Sequence, residues 1–109
     1  MRLLVVEDDK ELNRQLVVAL EQAGYAVDRA LDGEEGHFLG DTENYDAVIL
    51  DLGLPKKDGI SVLEDWRRAG RSMPVLILTA RDRWSDKVQE IGRAHVELQS
   101  TFLYLVCRL

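Results

Sequence analysis

Two short apolar runs in this chain end in carboxylates, and that pattern restricts the fold more than anything else in it. Leu3-Leu4-Val5-Val6 runs into Glu7-Asp8-Asp9, and Ala47-Val48-Ile49-Leu50 runs into Asp51. Apolar runs of four or so residues read as buried parallel strands, and in open α/β sheets functional groups gather where such strands end. Several negative charges brought to one sheet edge repel one another unless a cation or a reaction offsets the repulsion. Such crowding marks Asp51 as a site.

The rest of the pattern alternates. Leu12, Leu16, Leu20 and Ala23 recur at helical spacing, with Asp8 or Asp9 to cap, Glu11 to complement the dipole and Gly24 to stop the helix. Tyr25–Ala30 reads as a second strand. Asp32-Gly33 opens a weak helix through Leu39, interrupted by Gly36 and ended near Gly40. Tyr45–Asp51 is the third strand, and Pro55–Gly59 is a turn-rich loop. Ile60, Leu63 and Trp66 mark a helix ending at Ala69-Gly70, and Pro74–Thr79 is a fourth buried strand. Ser85 caps a helix through Lys87 and Val88. This βαβαβαβα order predicts a doubly wound, flavodoxin-like parallel sheet with helices on both faces. Beyond Gln89 two readings stay open. Leu98, Phe102, Leu105 and Leu109 fit a helical stripe, whereas Thr101–Val106 equally fits a strand.

The totals exclude some classes. A chain of 109 residues is one domain. A net charge of -6 argues against a nucleic-acid surface, and no run reaches the ~20 apolar residues that span a bilayer. A strand-like N-terminus argues against a secretory signal. The single cysteine, Cys107, precludes an internal disulfide and suits a reduced, cytoplasmic setting. Lys56-Lys57 reads as a solvated loop, and Arg67, Arg68 and Arg71 as a basic cluster favoured by a helix dipole. His37 and His95 read as surface residues. Trp66 reads as helix packing, and Trp84 as a solvent-exposed or partly packed aromatic, with a partner contact as the alternative.

Glu7, Asp8, Asp51 and Thr79 thus meet at strand ends. Crowded carboxylate oxygens with no neighbouring His or Cys suit Mg²⁺, and a carboxylate beside such an ion can attack phosphorus.

Residues 1–89 resemble the receiver domain of a bacterial two-component response regulator. The strings that carry the resemblance are Leu4-Val5-Val6-Glu7-Asp8-Asp9, Val48-Ile49-Leu50-Asp51-Leu52-Gly53-Leu54-Pro55 with Asp58-Gly59, and Pro74-Val75-Leu76-Ile77-Leu78-Thr79-Ala80-Arg81. They look most like the branch that carries a winged-helix DNA-binding domain after the receiver. The resemblance implies that Asp51 is the phosphoacceptor, fed by a histidine kinase, and that the chain is a switch for transcription rather than an enzyme. It implies Asp8 as a direct Mg²⁺ ligand, Glu7 as an acidic neighbour acting through water, and Gly53 as a carbonyl donor to the ion. Thr79 would hydrogen-bond the phosphoryl group, while Pro55 and Gly59 shape the loop.

One departure is large. The family carries a Lys-Pro pair after its fifth strand and an aromatic residue on that strand, but here no lysine comes after Lys87 and no proline after Pro74. Residues 90–109, with Gly92-Arg93-Ala94-His95-Val96-Glu97-Leu98-Gln99 in place of the usual stretch, are therefore expected to be an atypical tail, a truncation read into foreign sequence. The final strand and helix would be missing or replaced. A homodimer, swapped or non-native through Phe102–Val106, would result from the lost cover. Two other functions stay in competition: an unphosphorylated interaction receiver, and an aspartyl-phosphatase-type enzyme. The latter is opposed by Gly53, which stands where such enzymes place a second carboxylate.

Overall fold

The computed structural model describes residues 1–80, His95–Leu98 and Thr101–Val106. The elements are β1 (Arg2–Val6), α1 (Lys10–Gln22), β2 (Ala26–Ala30), α2 (Gly33–Thr42), β3 (Ala47–Asp51), α3 (Gly59–Arg68), β4 (Val75–Ala80), β5 (His95–Leu98) and β6 (Thr101–Val106). They form one sheet in the order β2-β1-β3-β4-β6-β5. The pairings β1–β2, β1–β3 and β3–β4 are parallel, as expected of buried runs joined through helices.

Side chains alternate across this sheet with period two. Leu4, Val6, Val48, Leu50, Val75 and Ile77 face α3, where they bury Val62, Leu63 and Trp66. Val5, Ile49 and Leu78 face the opposite way, against Leu12, Leu16, Val17 and Leu20 of α1. Helices on both faces make the sheet doubly wound. Among the described residues, each of the three helices starts at an aspartate whose carboxylate accepts backbone N–H groups: Asp9 from Glu11 and Leu12, Asp32 from Glu35, and Asp58 from Ser61. Asp9 is thus the cap of α1, which leaves Asp8 for other work.

Several expectations change. Of the two readings left open beyond Gln89, the described residues His95–Leu98 and Thr101–Val106 form strands. Thr101–Val106 pairs antiparallel with β4, and β5 pairs antiparallel with β6, so the sheet is parallel only across its first four strands. The helix expected after Ser85, and Trp84, lie outside the described residues. Gly36 does not interrupt α2, nor does Gly40 end it. A Cβ at Gly36 would lie 2.6 Å from the Val6 side chain, and one at Gly40 would lie 2.4 Å from the Trp66 ring. The two glycines form the buried side of α2, and the helix continues to Thr42 because that contact holds it to the sheet and α3.

The basic residues are also engaged. Arg67 donates to the carbonyls of Arg71 and Met73 at 2.9 Å each, and Arg71 donates to those of Gly40 and Glu43 at 3.2 and 2.5 Å. Arg71 ties the turn after α3 to the end of α2, and Arg67 holds that turn in place. Lys57 pairs with Asp65, and Lys56 lies 3.6 Å from Asp32, so the loop after β3 is anchored instead of loosely solvated.

Gly59 brings the start of α3 against the end of β3. Its N–H donates to Leu52 O at 3.1 Å, and a Cβ there would lie 2.2 Å from Asp51 O and 2.7 Å from Leu52 Cα. Backbone cannot swing aside as a side chain can. Gly59→Ala is expected to cost ~1–3 kcal/mol, read as a lowered thermal midpoint. A wild-type midpoint would contradict this close approach.

Candidate phosphoacceptor and metal site

The register explains how separate strands deliver one acidic site. Val6 pairs with Leu50, so the next residues, Glu7 just past β1 and Asp51 at the end of β3, come side by side at one edge of the sheet. Asp51 pairs in turn with Leu78, which sets Thr79 one step beyond it on β4. Glu7, Asp8 and Asp51 each place a carboxylate oxygen within 4.8 Å of the others. Glu7 and Asp51 are buried, at 4 % and 6 % exposure, while Asp8 opens to solvent.

Local hydrogen bonds hold the carboxylates. Glu7 Oε2 accepts from the Asp9 N–H at 2.8 Å, and Asp51 Oδ1 accepts from the Gly53 N–H at 3.2 Å. The backbone of Glu7 is pinned as well, with its N–H donating to Ala30 O at 3.1 Å. Burial pushes the Glu7 carboxyl from an ordinary 4.5 up to about 8, and the nearby Asp51 and Asp8 charges push the same way against the Asp9 hydrogen bond. The Glu7 anion is thus disfavoured in this space.

A hard, oxygen-preferring cation fits such a donor set. Every candidate donor is oxygen, and the exposed Asp8 leaves the site open to water, which Mg²⁺ retains when bound. Of the residues singled out in the sequence, Glu7, Asp8 and Asp51 are brought together. Gly53 adjoins them through its amide, and Thr79 lies on the neighbouring strand. Sequence reasoning passed over Asn13, a fully buried polar residue on α1 whose Nδ2 donates to Glu7 O and Ala30 O. Its one signal was an asparagine on a helix whose inner positions are otherwise leucine and valine.

Comparison with known proteins agrees with this arrangement. The response regulator receiver domain family matches residues 3–97. The virulence transcriptional regulatory protein PhoP of Salmonella typhimurium is 46% identical over 92 residues, covering 84% of this chain and 41% of that protein. The transcriptional regulatory protein PmrA of Pectobacterium parmentieri is 50% identical over 88 residues, covering 81% of this chain and 40% of that protein. The chain therefore spans about two fifths of the length of these curated relatives. Among solved structures, the Francisella response regulator 1452 receiver domain superposes with a TM-score of 0.74 at 36% identity, covering 81% of this chain and 73% of that one. TrrA of Thermotoga maritima, solved with Mg²⁺ and BeF, also gives 0.74, at 31% identity over 82% of this chain and 77% of its own. The acidic strand ends, the doubly wound sheet and these matches place the chain in the response regulator receiver domain family.

Proposed function

We propose that Asp51 is the phosphoacceptor of a two-component relay, and that a histidine kinase supplies the phosphoryl group. The observation that carries this reading is the meeting of Glu7, Asp8 and Asp51 at the ends of β1 and β3. An Asp51 carboxylate oxygen attacks phosphorus, the bond from phosphorus to the donor's leaving atom breaks, and a mixed carboxylic–phosphoric anhydride forms. Asp8, Asp51 and the Gly53 carbonyl would hold Mg²⁺, with Glu7 acting through water. The bound ion supplies charge neutralisation for the incoming phosphoryl oxygens. The Thr79 hydroxyl would donate to one of those oxygens.

The output would be transcription, through a DNA-binding segment outside this chain. Support comes from PhoP and PmrA, both transcriptional regulatory proteins of which this chain spans about two fifths. Gly53 stands two residues after Asp51, where a hydrolytic enzyme of this chemistry would need an acid/base carboxylate, so the domain stores a phosphoryl group rather than turning it over. Residues 90–109 are read as a replacement for the usual final strand and helix, in keeping with the antiparallel β6 and β5. β5 ends the sheet, an edge suited to pairing with a second copy.

Incubation with Mg²⁺ and an acyl phosphate, then intact mass measurement, is expected to show one added phosphoryl group that Asp51→Asn abolishes. Absence of any adduct would leave a receiver used only for protein contacts. Rapid multiple turnover of the donor would favour the enzyme.

A further inference from the structure

Asn13 is fully buried on α1, yet its environment suits it only in part. Nδ2 donates to Glu7 O at 2.9 Å and to Ala30 O at 3.1 Å. Both neighbours are carbonyl oxygens, so the amide nitrogen must face them. Oδ1 is then buried with no partner among the described residues. An unpaired buried acceptor costs stability, and the same face of α1 otherwise carries Leu12, Leu16 and Leu20. A leucine would bury there without that cost. A polar residue kept against its local environment marks a position where its donors matter.

Those donors act on the acidic site. Glu7 has its N–H bound to Ala30 O, its C=O bound by Asn13 Nδ2, and its carboxylate bound by the Asp9 N–H. The Asn13 N–H closes the loop by donating to Asp9 O at 2.8 Å. Residue 8 is therefore suspended between two immobilised neighbours. We infer that Asn13 is a positioning residue for Mg²⁺: by clamping the ends of β1 and β2 together, it aims the exposed Asp8 carboxylate at Asp51. This inference rests on the reading of Glu7, Asp8 and Asp51 as a Mg²⁺ site.

Calorimetric titration of the full chain with MgCl₂ tests it. Asn13→Leu keeps the volume and removes both donors; its Mg²⁺ Kd is expected to rise ~10-fold or more, the usual effect of losing a group that orients ligands. Asn13→Ser, with a single donor, is expected to fall between wild type and Asn13→Leu. Leu16→Ala loosens the same helix and is expected to lower the thermal midpoint while leaving the Mg²⁺ Kd within ~2-fold, since it touches no ligand. In phosphorylation by an acyl phosphate, Asn13→Leu should raise the Mg²⁺ concentration for half-maximal rate and leave the rate at saturating Mg²⁺ within ~3-fold.

An unchanged Kd in Asn13→Leu overturns the inference, as does an equal loss in Leu16→Ala. So does failure of both Asn13 variants to fold, which would assign the residue to stability alone. Failure of the wild-type chain to bind Mg²⁺ would instead overturn the functional reading itself.

Discussion

Trp66→Ala is expected to destabilise the domain by ~3–5 kcal/mol, the range for emptying a large aromatic site in a packed core. Trp66 is fully buried, between the sheet face of Leu4, Val6, Val48 and Leu50 and the glycine side of α2. The close approach at Gly40 means that α2 is shaped to the indole. No side chain at that position can relax into the space left behind. The indole N–H also donates to His37 O at 3.2 Å, a bond between α3 and α2 that alanine cannot replace. Small domains have only ~5–15 kcal/mol of stability in total. The loss should lower the thermal midpoint by roughly 12 °C or more, and on a domain at the low end of that range it should leave much of the chain unfolded. Trp66→Phe keeps most of the volume and loses mainly the hydrogen bond, so a smaller cost of ~1–2 kcal/mol is expected. Urea titration of the three proteins separates the two contributions. Equal midpoints for wild type and Trp66→Ala would show that α2 and α3 do not share this core.

The consequence reaches the acidic site because α3 is held at both ends. Its start presses on Asp51 O and Leu52 through Gly59, and its end is tied to α2 through Arg71, whose carbonyl Arg67 holds. Packing beneath α3 and placement of Asp51 are one structural problem.

The site carboxylates were legible in the sequence for a simple reason. Strand ends in a parallel sheet are set by short apolar runs, and the residues just after each run land on a known edge. That reasoning reached Glu7, Asp8 and Asp51 without any contact being known. It had less to say where tertiary packing decides. Gly36 and Gly40 looked like helix breakers because intrinsic propensity says so, yet close approach to Val6 and Trp66 overrides that preference. Lys57 read as solvated, and Arg67 and Arg71 as a cluster favoured by a helix dipole, since their partners are carbonyls or carboxylates in other elements or a helical turn away. Thr101–Val106 stayed ambiguous because a short apolar stretch serves either period, and the open edge of β4 decided for a strand. Asn13 was passed over because its value lies in two carbonyls of other elements. At the far end of the sheet, Arg2 pairs with Asp28 at 2.7 Å and Glu43 at 3.1 Å, and its guanidinium lies 5.0 Å from the Tyr45 ring centre. Nothing in sequence spacing joins those four residues.

The metal-free chain is expected to lose stability as pH rises from about 5 to about 8.5, through Glu7. Its carboxyl is raised from 4.5 to about 8 in the fold, first by burial and then by Asp51 and Asp8. A raised value means that the folded state holds a proton which the unfolded chain has already released. The stabilisation is complete below about 4.5 and is lost as pH climbs through about 8, at up to ~1.4 kcal/mol per pH unit for one proton. Glu11, Asp28, Asp32 and Asp65 are shifted the other way by their partners, so their contributions fade only as pH falls into the acid range. They do not compete in this window. Glu7→Gln cannot ionise and should flatten the slope, becoming relatively more stable than wild type toward pH 8.5. The same proton opposes a cation, so Mg²⁺ should bind more tightly as pH rises, and titrations in buffers of different ionisation enthalpy should detect proton release that fades above about pH 9. Thermal melts at matched ionic strength, with and without Mg²⁺, check both halves. Parallel pH profiles for wild type and Glu7→Gln, with no proton released on Mg²⁺ binding, would mean that Glu7 is already ionised and that the crowding of the three carboxylates is relieved in some other way.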